Sequence, residues 1–582
     1  MSSLDLSGET TKAAVAPPPS RWRMDVSPAA AILIVLLAAL IGPPLYFLIK
    51  TSFYETDFDG SFGDFTLGYY VELFSSGRFV EHLRNSLVFA LGSGLLAIGL
   101  GALQAWIVER TNTPMRRFAF LVAIVSLGIP HVLYTVAWLL ILGKQGPVNQ
   151  AIMALTGSPE PFFIVNSMAG MILIEGMIWT PLSFLMLSSV FRSFDGGFEE
   201  AAVMSGAGPF TTFRRITMKL ALPGFLALLM LICIRAFEAF DIPALVGTAG
   251  DVSVLSTDIF ESIRKDLPPN YGLAGSFSVV LMGMVALLLV LQGRLLHNAE
   301  RFQTITGKAF RPRVIDLRGW RFVCAGVLVL YFVLLIVVPL AMITLAAFLP
   351  FYDGVHAGAF SRLTLENFQL VLGGASFRSA IGNTLVMGGA TATLVCLLTA
   401  GSAWLAARRH PGGRILNQLA TLPLVFPAIV LGVACLQFFV SLPFAFYGTL
   451  ASIILAGTVQ YLPYGMRFTY AGALQIHREL EEAAASSGAS RAQSFRRVVL
   501  PLMAPSVATS WLFVLLLSVR AVGMPILLAG PGNNVVAVTI YDLWGNGQIT
   551  AVAALGLLWA GLMMMIGVVF HHMSRRYGLD VK

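Results

Sequence analysis

The sequence predicts an all-α integral membrane protein of about twelve spanning helices, arranged as two parallel six-helix repeats. Three observations predict it: a composition too apolar for water, twelve hydrophobic runs of spanning length, and a polar, basic segment that occurs once in each half. Of 582 residues, 57% are hydrophobic and 12% charged, about half the charge of a typical soluble domain. Mean hydropathy is +0.79. Most of such a chain must lie in lipid. A net charge of +8 and an isoelectric point near 9.4 would suit nucleic-acid binding in a soluble protein. In a membrane protein the same excess first reflects basic residues held on the cytoplasmic side, so no nucleic-acid partner is expected. The four cysteines, Cys233, Cys324, Cys396 and Cys435, stand singly in apolar runs, with neither metal spacing nor an evident pairing.

Residues 1–28, with their APPPS stretch, read as a cytoplasmic tail. The first half, 29–296, carries runs at approximately 29–49, 86–108, 118–142, 164–190, 220–243 and 274–296, each near the roughly 20 residues a helix needs to cross a bilayer. Lys12, Arg21 and Arg23 ahead of the first run resemble the basic region of a signal peptide. The run is about 21 residues long and lacks a small-x-small cleavage pattern, so it reads as an uncleaved helix. A link at 297–320 leads to the second half, 321–582, with runs at approximately 321–347, 382–406, 415–441, 445–473, 500–522 and 550–572. Placing both termini in the cytoplasm puts about 28 of the 38 Lys and Arg there. The densest block, RLLHNAERFQTITGKAFRPRVIDLRGWR at 294–321, reads as a solvated basic linker in contact with membrane lipid at most through its charge. The acidic YETDFDGSFGD at 54–64 falls outside.

The repeat is visible residue by residue. EEAAVMSGAGPFTTFRRI at 199–216 and EEAAASSGASRAQSFRRV at 481–498 lie 481 − 199 = 282 residues apart, and the same offset relates Pro181 to Pro463, Pro223 to Pro505 and Pro243 to Pro525. Earlier in each half, RNSLVFALG at 84–92 aligns with GNTLVMGGA at 382–390, and Trp106 with Trp404, at 404 − 106 = 298. Half one therefore carries 298 − 282 = 16 extra residues between its third and fourth runs. In the doubled motif, Glu-Ala-Ala starts a helix well because carboxylates are favourable at its N-terminus, and Gly206 and Gly488 let the chain turn. Phe213, Arg214 and Arg215, like Phe495, Arg496 and Arg497, then open a second amphipathic piece that leads into the fifth run. Anionic headgroups would repel Glu199, Glu200, Glu481 and Glu482. A protein socket accounts better for a spacing kept twice.

Glu-Ala-Ala, three residues, Gly, nine residues, then Ile or Val resembles the coupling-loop signature of type I ATP-binding-cassette importer permeases. Glu200, Ala201, Ala202, Gly206 and Ile216 match it, and so do Glu482, Ala483, Ala484, Gly488 and Val498, closing with Leu500-Pro501. Half one departs at Lys219, where the motif's proline would fall, which suggests that the two loops are not equivalent. Two fused halves joined by a basic linker look most like the ferric iron permease group, which also includes transporters of thiamine, 2-aminoethylphosphonate and sugar phosphates. The resemblance implies that each loop docks in a cytoplasmic ATPase dimer and that an external solute-binding protein delivers the substrate. The contacts would come from Glu199, Glu200, Ala201, Ala202, Gly206, Arg214 and Arg215, and from Glu481, Glu482, Ala483, Ala484, Gly488, Arg496 and Arg497. No Gly-x-x-x-x-Gly-Lys-Ser/Thr phosphate loop is present. The chain is thus expected to bind no cofactor or metal and catalyse nothing, with ATP used by the separate ATPase in a bacterial inner membrane.

Ionisable residues deep in spanning runs are costly and become path candidates: Glu175, Arg235, Glu238, Asp241 and Arg520. Arg520 holds the repeat position of Glu238, 520 − 282 = 238. They read either as a polar patch at the seam between halves or as internal pairs, Arg235 with Glu238 or Arg520 with Glu238. Carboxylates suit a hard Fe(III) ion, and arginines a phosphonate or sugar phosphate. Tyr461 and Tyr464 read first as interfacial anchors, with phenol oxygens for a cation as the other reading. A twelve-helix secondary carrier of the major facilitator type is the competing class, but ERTNTPMRR at 109–117 holds only some of the charge of its loop signature.

Overall fold

The computed structural model describes residues 27–56, 61–126, 128–192, 201–202, 204–212, 214–215, 218–266, 268–300 and 314–576. The first half runs α1 (Pro28–Phe53), α2 (Gly77–Arg110), α3 (Arg116–Ser126), α4 (His131–Leu142), α5 (Met168–Arg192), α6 (Met218–Phe237), α7 (Leu255–Arg264) and α8 (Tyr271–Glu300). The second runs α9 (Trp320–Phe348), α10 (Ala375–Ala407), α11 (Gly413–Thr421), α12 (Ala428–Val440), α13 (Leu450–Gln475), the short α14 (Glu479–Ser486), α15 (Leu500–Ser518), α16 (Val536–Gly545) and α17 (Ile549–Arg576). Among the described residues, nine helices are long and apolar enough to cross a membrane, or up to eleven if each bent pair is one span. The remaining expected span is α13, 26 residues long, whose Gln460, Tyr461, Tyr464 and Arg467 dilute its hydropathy.

The expected third spans are each broken rather than straight. The chain bends by 104° between α3 and α4 and by 106° between the segment Gly413–Val425 and α12. Both breaks end at a proline, Pro130 and Pro427, which caps the following half-helix. Proline disfavours the helical region in the residue before it, and Phe426 is accordingly extended at φ −91°, ψ 108°. The fifth spans also stop short of their expected ends. α6 ends at Phe237 and α15 at Ser518, and each chain restarts in a short turn at the paired prolines, Pro243–Gly247 and Pro525–Leu528. Unwound backbone at membrane depth is tolerated only where protein or a water-lined cavity surrounds it.

Within each half the second span packs along the fourth and fifth, α2 on α5 and α6, α10 on α13 and α15. The first spans cross over. α1 packs against α8 and also against α11 and α12 of the other half, while the end of α9 packs against α17 and against α4. The halves thereby clasp each other through equivalent contacts, as duplicated units around one pseudo-twofold axis do. A two-stranded antiparallel hairpin, β1 (Tyr54–Thr56) and β2 (Phe62–Phe65), follows α1 at the end opposite the α14 loop.

Candidate coupling loops and translocation seam

In half two, α14 closes with a turn dictated by its own sequence. Gly488 has φ +85°, the left-handed region that costs an L-residue about 1–2 kcal/mol. The Gly488 N–H donates to Ala485 O at 2.9 Å and the Ala489 N–H to Ala484 O at 3.0 Å, the paired bonds that terminate a helix on glycine. Ser490 and Gln493 then cap the return helix, each side chain accepting the other's backbone N–H. Half one repeats the turn: Gly206 has φ +84° and the Ala207 N–H donates to Ala202 O at 2.9 Å. A Cβ on either glycine would meet nothing within 4 Å, so the dihedral and not space selects glycine. Glu482, Ala483, Arg496 and Arg497 are exposed, as are Ala201, Arg214 and Arg215, while Ala202 and Ala484 are half-buried. Met204 is 88% exposed and Leu480 46%, apolar side chains offered to water. Glu199 and Glu200 lie outside the described residues.

Glu481 does not share the outward face. Its Oε1 accepts from Arg408 Nε at 2.6 Å and its Oε2 from Trp404 Nε1 at 3.1 Å. Both donors stand at the end of α10, with Arg408 just past its last turn.

The fifth span of half one meets the fourth of half two where Arg235 reaches Tyr464. Arg235 Nη1 donates to Glu238 Oε1 and Nη2 to the Tyr464 hydroxyl, each at 2.5 Å. The Tyr461 hydroxyl donates to Leu517 O at 3.2 Å. Asp241 lies within electrostatic range of Arg520, which in turn faces Tyr461 and Tyr464. Glu175, nearly fully buried, accepts from Trp179 Nε1 at 2.8 Å and lies within range of Asp241. His131, the first residue of α4 after the break, stands over Trp179 at 6.2 Å and within range of Arg520. A cavity of about 40 Å³, room for a few waters, is lined by Ser126, His131, Trp179 and Arg520 among others. The side chains of Arg235 and Glu238 keep 29% and 12% of their surface, so the pair borders open space at the seam.

The profile for binding-protein-dependent transport system inner membrane components matches twice, over residues 97–299 and 318–577. The chain belongs to this family. Each match contains one copy of the Glu-Ala-Ala segment and one unwound fifth span. Relatives include the ferric transport system permease protein FbpB of Actinobacillus pleuropneumoniae, 23% identical over 86% of this chain and 72% of that protein. A putative ferric permease of Haemophilus influenzae, FbpB 1, is 23% identical over 82% of this chain and 74% of its own length. The putative 2-aminoethylphosphonate permease PhnV of Salmonella paratyphi A is 26% identical over 42% of this chain and 92% of its own length. The chain is an importer permease of two fused halves in a multi-pass inner-membrane setting, a subunit of a family that is not itself catalytic.

The permease brings Arg235, Glu238, Asp241, Glu175 and Arg520 into one neighbourhood. Of the two pairings offered by the sequence, Arg235 with Glu238 or Arg520 with Glu238, the Arg235–Glu238 pair is formed. Tyr461 and Tyr464 are not interfacial anchors. They lie at the middle of α13 and are committed to Leu517 O and Arg235. His131 and Trp179 escaped the sequence reading, although a histidine placed directly after a proline inside an apolar run was a usable signal.

Proposed function

We propose that this permease carries ferric iron from a soluble external binding protein into the cytoplasm, driven by a separate cytoplasmic ATPase dimer docked on the α14 loop and its half-one counterpart. The observation that carries the reading is the matching pair of glycine turns, Gly206 at φ +84° and Gly488 at φ +85°, that close the repeated loop once per half, with Glu482 and Leu480 exposed on the half-two copy. Two loops built on the same turn suit the two clefts of an ATPase dimer. With both termini and both loops cytoplasmic, the basic residues concentrate on that side.

The substrate rests on the two ferric relatives and on charge balance at the seam. Arg235 is offset by Glu238 and Arg520 is faced by Asp241, so the added Glu175 and the two phenols tilt the surroundings toward oxygen donors for a hard cation. The second reading, a phosphonate, is favoured by PhnV and by the two arginines. The chain itself binds no ATP in either reading.

The test has two parts. Glu200→Arg and Glu482→Arg should each lower uptake, and the double variant should release the ATPase while the membrane chain stays inserted, because a stranded interfacial charge costs on the order of 2–5 kcal/mol. Full ATPase retention with normal uptake would refute docking. Ligand captured by the cognate binding protein identifies the substrate: Fe(III) supports the first reading, and a phosphonate replaces it with the second.

A further inference from the structure

α10 holds a partner at each end. At the coupling end, Arg408 holds Glu481 Oε1 with both Nε and Nη2, each at 2.6 Å, and also reaches the terminal carbonyls of α13, with Nη2 at 2.9 Å from Ile476 O and Nη1 at 3.3 Å from Ala473 O. A guanidinium at a helix C-terminus satisfies orphan carbonyls and suits the dipole there. Trp404 donates its N–H to the same carboxylate and lays its ring 4.9 Å from that of Phe495, at the start of the return helix. Arg408 and Glu481 keep only 8% and 17% of their side-chain surface. One end of α10 thus grips the end of α13, the coupling helix and the return helix together.

Near its other end, Asn383 donates to Gly532 O and Asn534 O, at 3.1 Å each, and the Thr384 hydroxyl accepts the first N–H of α16, Val536, at 2.8 Å. These bonds fix the segment that follows the unwound stretch bearing Arg520. From Asn383 to Arg408 a continuous helix covers about 25 residues, roughly 37 Å. Half one has the same far anchor. Asn85 donates to Ser253 O at 3.1 Å and the Ser86 hydroxyl accepts the Leu255 N–H at 3.0 Å. It also has the same two near residues, Trp106 and Arg110, at 404 − 298 and 408 − 298.

We infer that Glu481 is a positioning residue that ties the coupling helix to α10, making the second span the rod that carries ATPase movement to the segment beyond the seam, while Glu482 is left to meet the ATPase. Its repeat position in half one, 481 − 282, is Glu199, outside the described residues. The inference rests on the docking reading above. It differs from that reading in assigning the two adjacent glutamates opposite directions.

The experiment uses the complete complex of permease, ATPase and binding protein in liposomes, with Fe(III) presented by the binding protein as the probe. Glu481→Gln should keep the ATPase at wild-type stoichiometry while ATP hydrolysed per ion imported rises roughly tenfold, the scale of one lost hydrogen bond to a charged group. Trp404→Phe, which removes the N–H donor and leaves a smaller aromatic ring, should shift the same ratio less, and combining it with Glu481→Gln should add nothing. If Glu481→Gln does not accumulate, Trp404→Phe alone carries the expectation. An unchanged ratio overturns the inference. So does release of the ATPase in step with lost uptake, which would make Glu481 a docking residue and leave the docking reading intact. Failure of the wild-type chain to retain any ATPase removes the docking reading and the inference with it.

Discussion

The coupling ends of the two halves carry the same loop on different mountings. In half two the mount is Arg408 and Trp404 on Glu481. In half one the end of α2 holds a further centre: Glu109, its side chain wholly out of water, accepts from Arg116 and Arg192 at 2.6 Å each. By the offsets of 298 and 282, the repeat positions of Glu109 and Arg192 are Ala407 and Leu474, so half two lacks the carboxylate at the centre of this network. Half one also takes the tail of the linker. Ile315 pairs with Thr111 in a short parallel bridge, and Asn112 donates to Asp316 at 2.5 Å. The last residues of the linker are therefore pinned to α2 rather than solvated throughout. The duplicated units kept the turn that presents the loop and diverged in what braces it.

The largest test of that comparison is Glu109→Gln. Two charge-assisted bonds are lost, but Arg116 and Arg192 are each about half exposed and regain water. The expected loss is about 2–3 kcal/mol, below the 3–5 kcal/mol of a fully buried pair. Unfolding of the purified chain in micelles measures it. Ala407→Gln, the matched change in half two, breaks no ion pair. Equal losses in the two variants would show the mounts to be alike.

Next in size are Gly206→Ala and Gly488→Ala. Because both sit near φ +85° in open space, each should cost about 1–2 kcal/mol locally and lower uptake by a similar factor. A clearly larger effect in one half would mean that the shared turn is not what makes the loops equivalent. Asn383→Ala should then cost more than Asn85→Ala by about 1 kcal/mol, since Asn383 makes two bonds and Asn85 one. A matched unfolding experiment reads the difference, and equal costs would make the second Asn383 bond idle.

Much of this was legible in the sequence because spanning length and a doubled motif are local signals. The asymmetry at Glu109 was not. Its partners Arg116 and Arg192 are 7 and 83 residues away, and each alone resembles ordinary flanking charge. The end of α6 at Phe237 was hidden for another reason. Residues 220–243 are apolar enough to continue as helix, and only the seam supplies the Ser256 hydroxyl that donates to Ala239 O at 2.6 Å in the unwound stretch. Trp106 and Trp404 were visible as repeat markers, but their role needed the carboxylate that Trp404 meets 77 residues on.

The smallest expected effect lies at the opposite end of the molecule, where the halves differ in chemistry. The loop after α1 is held by aromatic contact, Phe53 stacked on Phe65 at 6.1 Å and Lys50 over Phe62 at 4.0 Å. The loop after α9 is held by charge: Arg362 Nη2 donates to both Asp353 oxygens, at 2.9 and 2.7 Å. That guanidinium, with His356 assisting, holds the Asp353 carboxyl below its ordinary range. A depressed folded pKa contributes stability above the unfolded value, about 3.9, and that contribution is lost as pH falls through the folded value. Asp353→Asn should therefore lower the unfolding midpoint slightly at pH 7, and the gap to wild type should close as the pH drops below about 4. Because the pair is open to water, the gap at pH 7 should also shrink in high salt. Phe65→Ala in the hairpin should show neither dependence. A gap for Asp353→Asn that persists unchanged in acid would mean that the carboxylate charge does not hold the loop, and the contrast between an aromatic and an ionic outer loop would fall.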